Sequence, residues 1–318
     1  MDRRTWTAQP SRRAFFSKMA LPGAALLAGG RTLLHGAASG PLTFGVQLYM
    51  LRDLLAQNFE RGLAQVAATG VTHVEFAGFY DQTAAGLAKL LRANGLIASS
   101  AHCIRAEMTQ DEVKKTIDYC AELKMPYMCA AAPIIRNLKL PITSMEEVLK
   151  AIRQITLDDM HESADRFNRI AESISRAGMR FAYHTHGMDF RRYGNVVAFD
   201  DMVQRTDPQH VSFQLDFGNV IAVNADPIAY LRKYPNRFIL GHLKDWTKLN
   251  PLDTEAIPPR APFGEGVIDW KKILQAGRNA GIKTYFIEQE GVTAQNGIDV
   301  LRQGYQYFHS LKGIQAPI

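Results

Sequence analysis

Two histidines stand one residue apart in FAYHTHGMDF (181–190), and Asp216 sits inside FQLDFGN (213–219). His242 and Lys244 follow in GHLKDW (241–246), and Glu288 and Glu290 in YFIEQE (285–290). In an extended strand, residues i and i+2 share a face. His184 therefore points with His186, Gln214 with Asp216, His242 with Lys244, and Glu288 with Glu290. Imidazoles and carboxylates without a thiolate suit Mn²⁺, Zn²⁺, Fe²⁺ or Co²⁺ rather than a soft metal. Upstream, Glu75 in HVEFAG and His102 in SSAH are candidates to move a proton or bind a hydroxyl. A carboxylate within an apolar strand needs a partner, and Arg52 offers the structural alternative for Glu75. Plainer uses exist for the others too: a histidine can bond a neighbouring strand end, Asp216 can cap the turn in DFGN, Lys244 and Asp245 can form a surface ion pair, and Glu290 can be solvated. Trp246 and Phe263 offer apolar faces to a sugar ring or simply pack their loop.

These residues end short β-rich runs at 43–49, 72–78, 96–102, 125–131, 180–186, 210–216, 237–244 and 283–290. Between the runs lie amphipathic helical patterns such as NFERGLAQVAATG and ESADRFNRIAESISRAG, ending in the glycine that suits a helix C-terminus. Apolar strands alternating with helices imply a parallel sheet. Eight such units across residues 39–318 fit an α/β protein built as one (β/α)₈ barrel domain, a fold of about 250 residues. In such a barrel all strand C-termini open on one mouth, so the residues above converge. An open doubly wound sheet for nucleotides would need a glycine-rich loop after the first strand, where QLYMLRD stands instead. The proline-containing stretch at 246–266 is expected to form a lid or substrate wall over the mouth.

The formal charge is +6, but Arg3, Arg4, Arg12, Arg13, Lys18 and Arg31 against Asp2 account for +5 of it within residues 1–38. The remainder is nearly neutral, which argues against nucleic acid as a partner. SRRAFFSKM (11–19), followed by ALPGAALLAGG, has the grammar of a twin-arginine export signal cut after Ala38, with a basic N-terminal tail as the plainer reading. The apolar run is short for a membrane span, so the expected location is periplasmic, with membrane contact only through the signal. Cys103, Cys120 and Cys129 form no C-x-x-C pair and read as buried hydrophobes, with a Cys103–Cys129 bridge open in an oxidising compartment.

GVQLYMLRD, HVEFAGFYD, FAYHTHGMDF, FQLDFGN, GHLKDW, FGEGVIDW and YFIEQE occur in the order that marks the xylose isomerase-like TIM-barrel superfamily, whose members include sugar phosphate isomerases and epimerases, and the chain resembles it over residues 43–312. The resemblance implies one divalent metal held by strands five to eight, at His184, Asp216, His242 and Glu288. It also marks two departures. The better-known epimerases carry a glutamate at the position of His184, where it serves as one of two bases, and Asn219 stands where a substrate-contacting histidine is common.

The resulting expectation is a metal-dependent sugar isomerase or epimerase that removes a proton next to a carbonyl of a small-molecule carbohydrate, through an enediolate. Glu75, His102, Lys244 and Glu288 are its acid, base or orienting groups, and His186, Asn219 and Trp246 its substrate contacts. Export argues for a non-phosphorylated substrate. The leading alternative is 1,2-elimination from a 3-keto-glycoside, which needs a single base. A non-catalytic periplasmic sugar-binding protein is the reading from another class. An endonuclease IV-like repair enzyme is disfavoured by the near-neutral mature chain. Assembly into a homo-oligomer is left open.

Overall fold

Eight parallel strands close into a barrel in sequence order: β1 (Thr43–Gln47), β2 (His73–Phe76), β3 (Ile97–Ile104), β4 (Tyr127–Ala130), β5 (Arg180–His184), β6 (Val211–Asp216), β7 (Phe238–Leu243) and β8 (Thr284–Ile287). The structure is a computed structural model and describes residues 40–138, 145–249 and 258–314. β1 shuts the barrel by pairing with β8 from Thr43↔Thr284 to Val46↔Ile287 and with β2 at Gln47↔Glu75. All of these strands belong to the unit His35–Ile318. The export signal expected at residues 1–38 lies outside the described residues.

Helices follow the strands because the intervening segments carry one apolar stripe and strong start signals. Thr109 and Glu112 form a capping box ahead of Gln110–Glu122, and Thr156 with Asp159 does the same for Leu157–Arg176. Their buried faces meet the outward residues of the strands in the main core, where Phe167, Phe181, Phe199 and Phe213 are fully buried. A second, smaller core of Cys129, Ala182, Ile239, Leu240 and Phe286 is separate from it. Ala182, Leu240 and Phe286 stand two residues before His184, His242 and Glu288, so strand alternation makes them an apolar floor beneath three polar strand ends. No described helix is long and apolar enough to cross a membrane.

The described flanks of the segment after β7 are pinned to one another. Thr247 N–H donates to the Pro259 carbonyl at 2.9 Å, Ala261 N–H to Asp245 at 3.0 Å, and Val267 N–H to Trp246 at 2.9 Å. The Asp245 carboxylate accepts from Gly264 N–H at 3.1 Å and from the Trp270 indole at 2.8 Å. Gln289 receives the Asp245 N–H at 3.0 Å and donates to the Asp245 carbonyl at 2.8 Å. Asp245 is thus fully buried, which corrects its reading as half of a surface ion pair: its charge serves the loop, and Lys244 turns to other carboxylates. Part of the expected lid, residues 250–257, lies outside the described residues.

The three cysteines are free thiols. The Cys129 thiol is 3.2 Å from Ser100 Oγ, whereas Cys103 Sγ lies 3.9 Å from Cys120 Sγ, so the nearest neighbour of Cys103 is not the one a Cys103–Cys129 bridge requires.

Candidate metal centre

Strand alternation delivers the ends of β5 to β8 to one point. One nitrogen each of His184 and His242 and one oxygen each of Asp216 and Glu288 lie within 4.8 Å of one another, and all four residues are buried. His184 Nε2 is 3.8 Å from Asp216 Oδ2, His242 Nδ1 is 4.0 Å from the same oxygen, and His242 Nδ1 is 2.9 Å from Glu288 Oε2. Ligands about 2.1 Å from a shared ion stand about 3 to 4 Å apart, so the four residues fit a single divalent metal. The sharper sign is Asp216. Its Oδ1 caps the short helix Phe217–Ala222 by accepting Asn219 N–H at 2.8 Å, while its buried Oδ2 makes no hydrogen bond and has the Lys244 ammonium 3.3 Å away. The Lys244 ammonium beside that oxygen offsets its charge without a hydrogen bond, which leaves a lone pair for a metal ion. The turn-cap and ligand readings of Asp216 are therefore compatible, one oxygen for each.

Lys244 borders this cluster. Its Nζ lies 2.9 Å from Glu290, 3.0 Å from Glu288 and 3.3 Å from Asp216. Burial opposes its charge, but Asp216, Glu288 and Glu290 together push its pKa well above the usual lysine value, so it is an ammonium at neutral pH. Glu288 is held well below the carboxylate range, burial being outweighed by Lys244 and His242. Burial raises Asp216 in spite of Lys244. Glu290 is not simply solvated, since Lys244 engages it.

His186 begins the turn Gly187–Phe190. Burial, reinforced by Lys244, lowers its pKa to about 3, so it is a neutral imidazole, and its buried Nδ1 has no hydrogen-bond partner. Its ring meets that of His184 edge-on, with centroids 4.6 Å apart.

Glu75 lies at 0% exposure among several donors. Gln47 Nε2 is 2.8 Å from Oε2, Gln214 Nε2 2.7 Å from Oε1, and His242 and His102 reach Oε2 at 2.5 and 3.2 Å. Burial disfavours its charge, but His102 and His242 hold it below the carboxylate range. Glu75 in turn, with Glu288, lifts His242 to about 10 against the effect of burial. The expected partner Arg52 is elsewhere, with its guanidinium 4.4 Å from the Tyr49 ring centroid.

The remaining expected contacts are placed as follows. His102 bonds Gln214 Oε1 at 2.8 Å. Asn219 donates its side-chain amide to the Thr185 carbonyl at 3.3 Å. Trp246 is buried, with its indole N–H given to the Gly218 carbonyl at 2.8 Å, and Phe263 packs edge-on against Trp270 and Phe308. The structure thus joins Glu75, His102, His184, Asp216, His242, Lys244 and Glu288 in one network, while Trp246 and Phe263 serve the loop. Gln47, Gln214 and Thr185 belong to the network and carry no sequence signal beyond shared strand faces; Thr185 Oγ1 accepts the Asp216 N–H at 3.0 Å.

Residues 63–310 match the sequence profile of the family described as xylose isomerase-like TIM barrel. The chain belongs to that family. It is 24% identical over 280 residues to an inosose dehydratase of Geobacillus thermodenitrificans (strain NG80-2), covering 80% of this chain and 90% of that protein. A Bacillus cereus (strain AH820) protein of the same name is 24% identical over 251 residues, 74% of this chain and 83% of its own. Among solved structures, a sugar phosphate isomerase/epimerase from Parabacteroides distasonis ATCC 8503 superposes with a TM-score of 0.64 at 22% identity, over 88% of this chain and 97% of that one. The probable 3-DHS dehydratase AsbF from Bacillus anthracis gives 0.63 at 14%, over 85% and 99%. At these identities the superpositions establish the shared barrel.

Proposed function

We propose that this family member is a divalent-metal-dependent carbon–oxygen lyase of a non-phosphorylated, polyhydroxylated ketone. The carrying observation is the Lys244 ammonium, which shares the Asp216 and Glu288 carboxylates with the candidate metal ligands. In the proposed reaction a base removes the proton next to the carbonyl, the C–H electron pair becomes a carbon–carbon double bond, and the neighbouring C–O bond breaks. The departing oxygen needs a proton, and Lys244 is a charged donor beside the cluster. A metal ion held by His184, Asp216, His242 and Glu288 would polarise the carbonyl and favour loss of the adjacent proton. His186 is the proposed proton acceptor, because its Nδ1 is unused while Glu288 is taken up by His242 and Lys244; burial and Lys244 make it a weak base, so the proton it takes must be one that a bound metal would acidify. The dehydratases among the curated relatives support elimination.

Isomerisation or epimerisation is the second reading, since the same proton can return to another position. An imidazole at His184 weighs against a two-base epimerisation, because a metal-held imidazole is not a second carboxylate base. We also propose export by the twin-arginine route, supported by the pattern of residues 11–38, with a keto-carbohydrate or 3-keto-glycoside met outside the cytoplasm.

The test is elemental mass spectrometry of the purified protein, followed by incubation with an inosose and with 3-keto-glycosides in deuterated water. Elimination gives a conjugated ketone, visible in the ultraviolet, with near-stoichiometric Mn, Zn, Fe or Co bound. His186→Asn should lower kcat about 10²- to 10⁴-fold with metal content unchanged. Deuterium exchange with a rearranged sugar and no eliminated product would favour the isomerase reading. A protein that binds sugar but takes up no metal and turns nothing over would be a binding protein.

A further inference from the structure

The two candidate ligand histidines must offer different ring nitrogens: Nε2 of His184 and Nδ1 of His242 face the cluster. A neutral imidazole carries one proton, and its other nitrogen supplies the lone pair a metal needs. Something must place the two protons oppositely.

The hydrogen-bond chain behind the site has a direction fixed from its start. Tyr49 N–H can only donate, and it lies 3.0 Å from Gln47 Oε1, so Gln47 turns its NH₂ toward Glu75, 2.8 Å away. Surrounded by the side chains of Gln47, Gln214, His242 and His102, Glu75 is an acceptor only. Gln214 must then point its NH₂ at Glu75 and its oxygen the other way, where His184 Nδ1 lies at 3.0 Å and His102 Nε2 at 2.8 Å. An amide oxygen only accepts, so His184 carries its proton on Nδ1, leaving Nε2 bare toward Asp216. Glu75 demands a proton on His242 Nε2; Nδ1 faces the cluster 2.9 Å from the Glu288 carboxylate, and any proton it shares with Glu288 is the one a metal would displace.

We propose that Gln214 and Glu75 are positioning residues that hold the His184 proton on Nδ1 and a His242 proton on Nε2, so that the opposite nitrogens, the ones facing the cluster, are offered to the metal. Gln214 stands beside His184 in the barrel register, as the acceptor an imidazole needs there and a glutamate ligand would not. The inference rests on the metal reading of the site. It also differs from the sequence expectation for Glu75, whose carboxylate is here a partner of His242 rather than the base. Outer hydrogen-bond partners of this kind contribute about 10- to 100-fold to metal affinity.

Long-range ¹H–¹⁵N spectra of the metal-free protein read the ring tautomers directly, and calorimetry with Zn²⁺ reads affinity. The wild type is expected to show Nδ1–H on His184. Gln214→Leu, similar in size and without the amide, should lose that preference and weaken Zn²⁺ binding about 10- to 100-fold. Glu75→Gln, nearly the same in shape and checked for folding by circular dichroism, should weaken Zn²⁺ binding similarly, with kcat largely recovered at saturating metal. An Nε2–H tautomer on wild-type His184, or undiminished Zn²⁺ affinity in Glu75→Gln, overturns the proposal. Loss of kcat in Glu75→Gln with affinity intact would make Glu75 a catalytic group instead. If the wild type binds no Zn²⁺, the metal-dependent reading of function fails, whereas the tautomers of the metal-free protein still test this chain of bonds.

Discussion

Asp189 holds the turn that carries His186. Its Oδ1 accepts the Tyr183 hydroxyl at 2.7 Å and its Oδ2 the His186 N–H at 2.7 Å, and burial pushes its pKa up to about 7 in spite of those bonds. The folded protein therefore keeps this proton where an unfolded chain has lost it. The stability it contributes is fully present below the ordinary carboxylate range and is lost as pH rises to about 7. Urea unfolding from pH 4 to 8 should show this downward component in the wild type and lack it in Asp189→Asn; parallel profiles would refute the assignment. Asp189 had no signal in the sequence, since a turn aspartate commonly reads as solvated. Glu75 was legible only in part: a carboxylate in an apolar strand announces that it has a partner, but its partners come from β1, β3, β6 and β7, and only closure of the barrel brings them together.

Strand ends, by contrast, were readable because alternation by two is local. The i, i+2 pairs His242 with Lys244 and Glu288 with Glu290 converge as that spacing requires, and the order of β5 to β8 supplies the rest. Less readable was how closely the helix after β6 approaches β7. A Cβ on Gly218 would stand 2.6 Å from Lys244 Cβ and 2.8 Å from its carbonyl oxygen. The helix Phe217–Ala222 can therefore sit against the Lys244 backbone only without a side chain there. Gly218→Ala should cost about 1 to 3 kcal/mol through overpacking and lower kcat by displacing Lys244, as measured by urea unfolding and steady-state kinetics. Unchanged stability and turnover would show that the strand yields at no cost.

For the molecule as a whole, the barrel and the four-residue cluster followed from the sequence, whereas the destination of the chain rests on residues 1–38 alone. Replacing Arg12 and Arg13 together by lysine should keep the protein in the cytoplasm by cell fractionation, while the wild type reaches the periplasm; equal distribution would remove the export proposal. The pinned flanks of the segment after β7 have another consequence. Asp245, Gln289 and the Thr247–Pro259 and Ala261–Asp245 bonds close a stem at its base. None of the four candidate ligands is part of that stem. These bonds are made by residues on either side of 248–258, so exchanging that stretch of sequence should leave both the stem and the four-residue cluster in place.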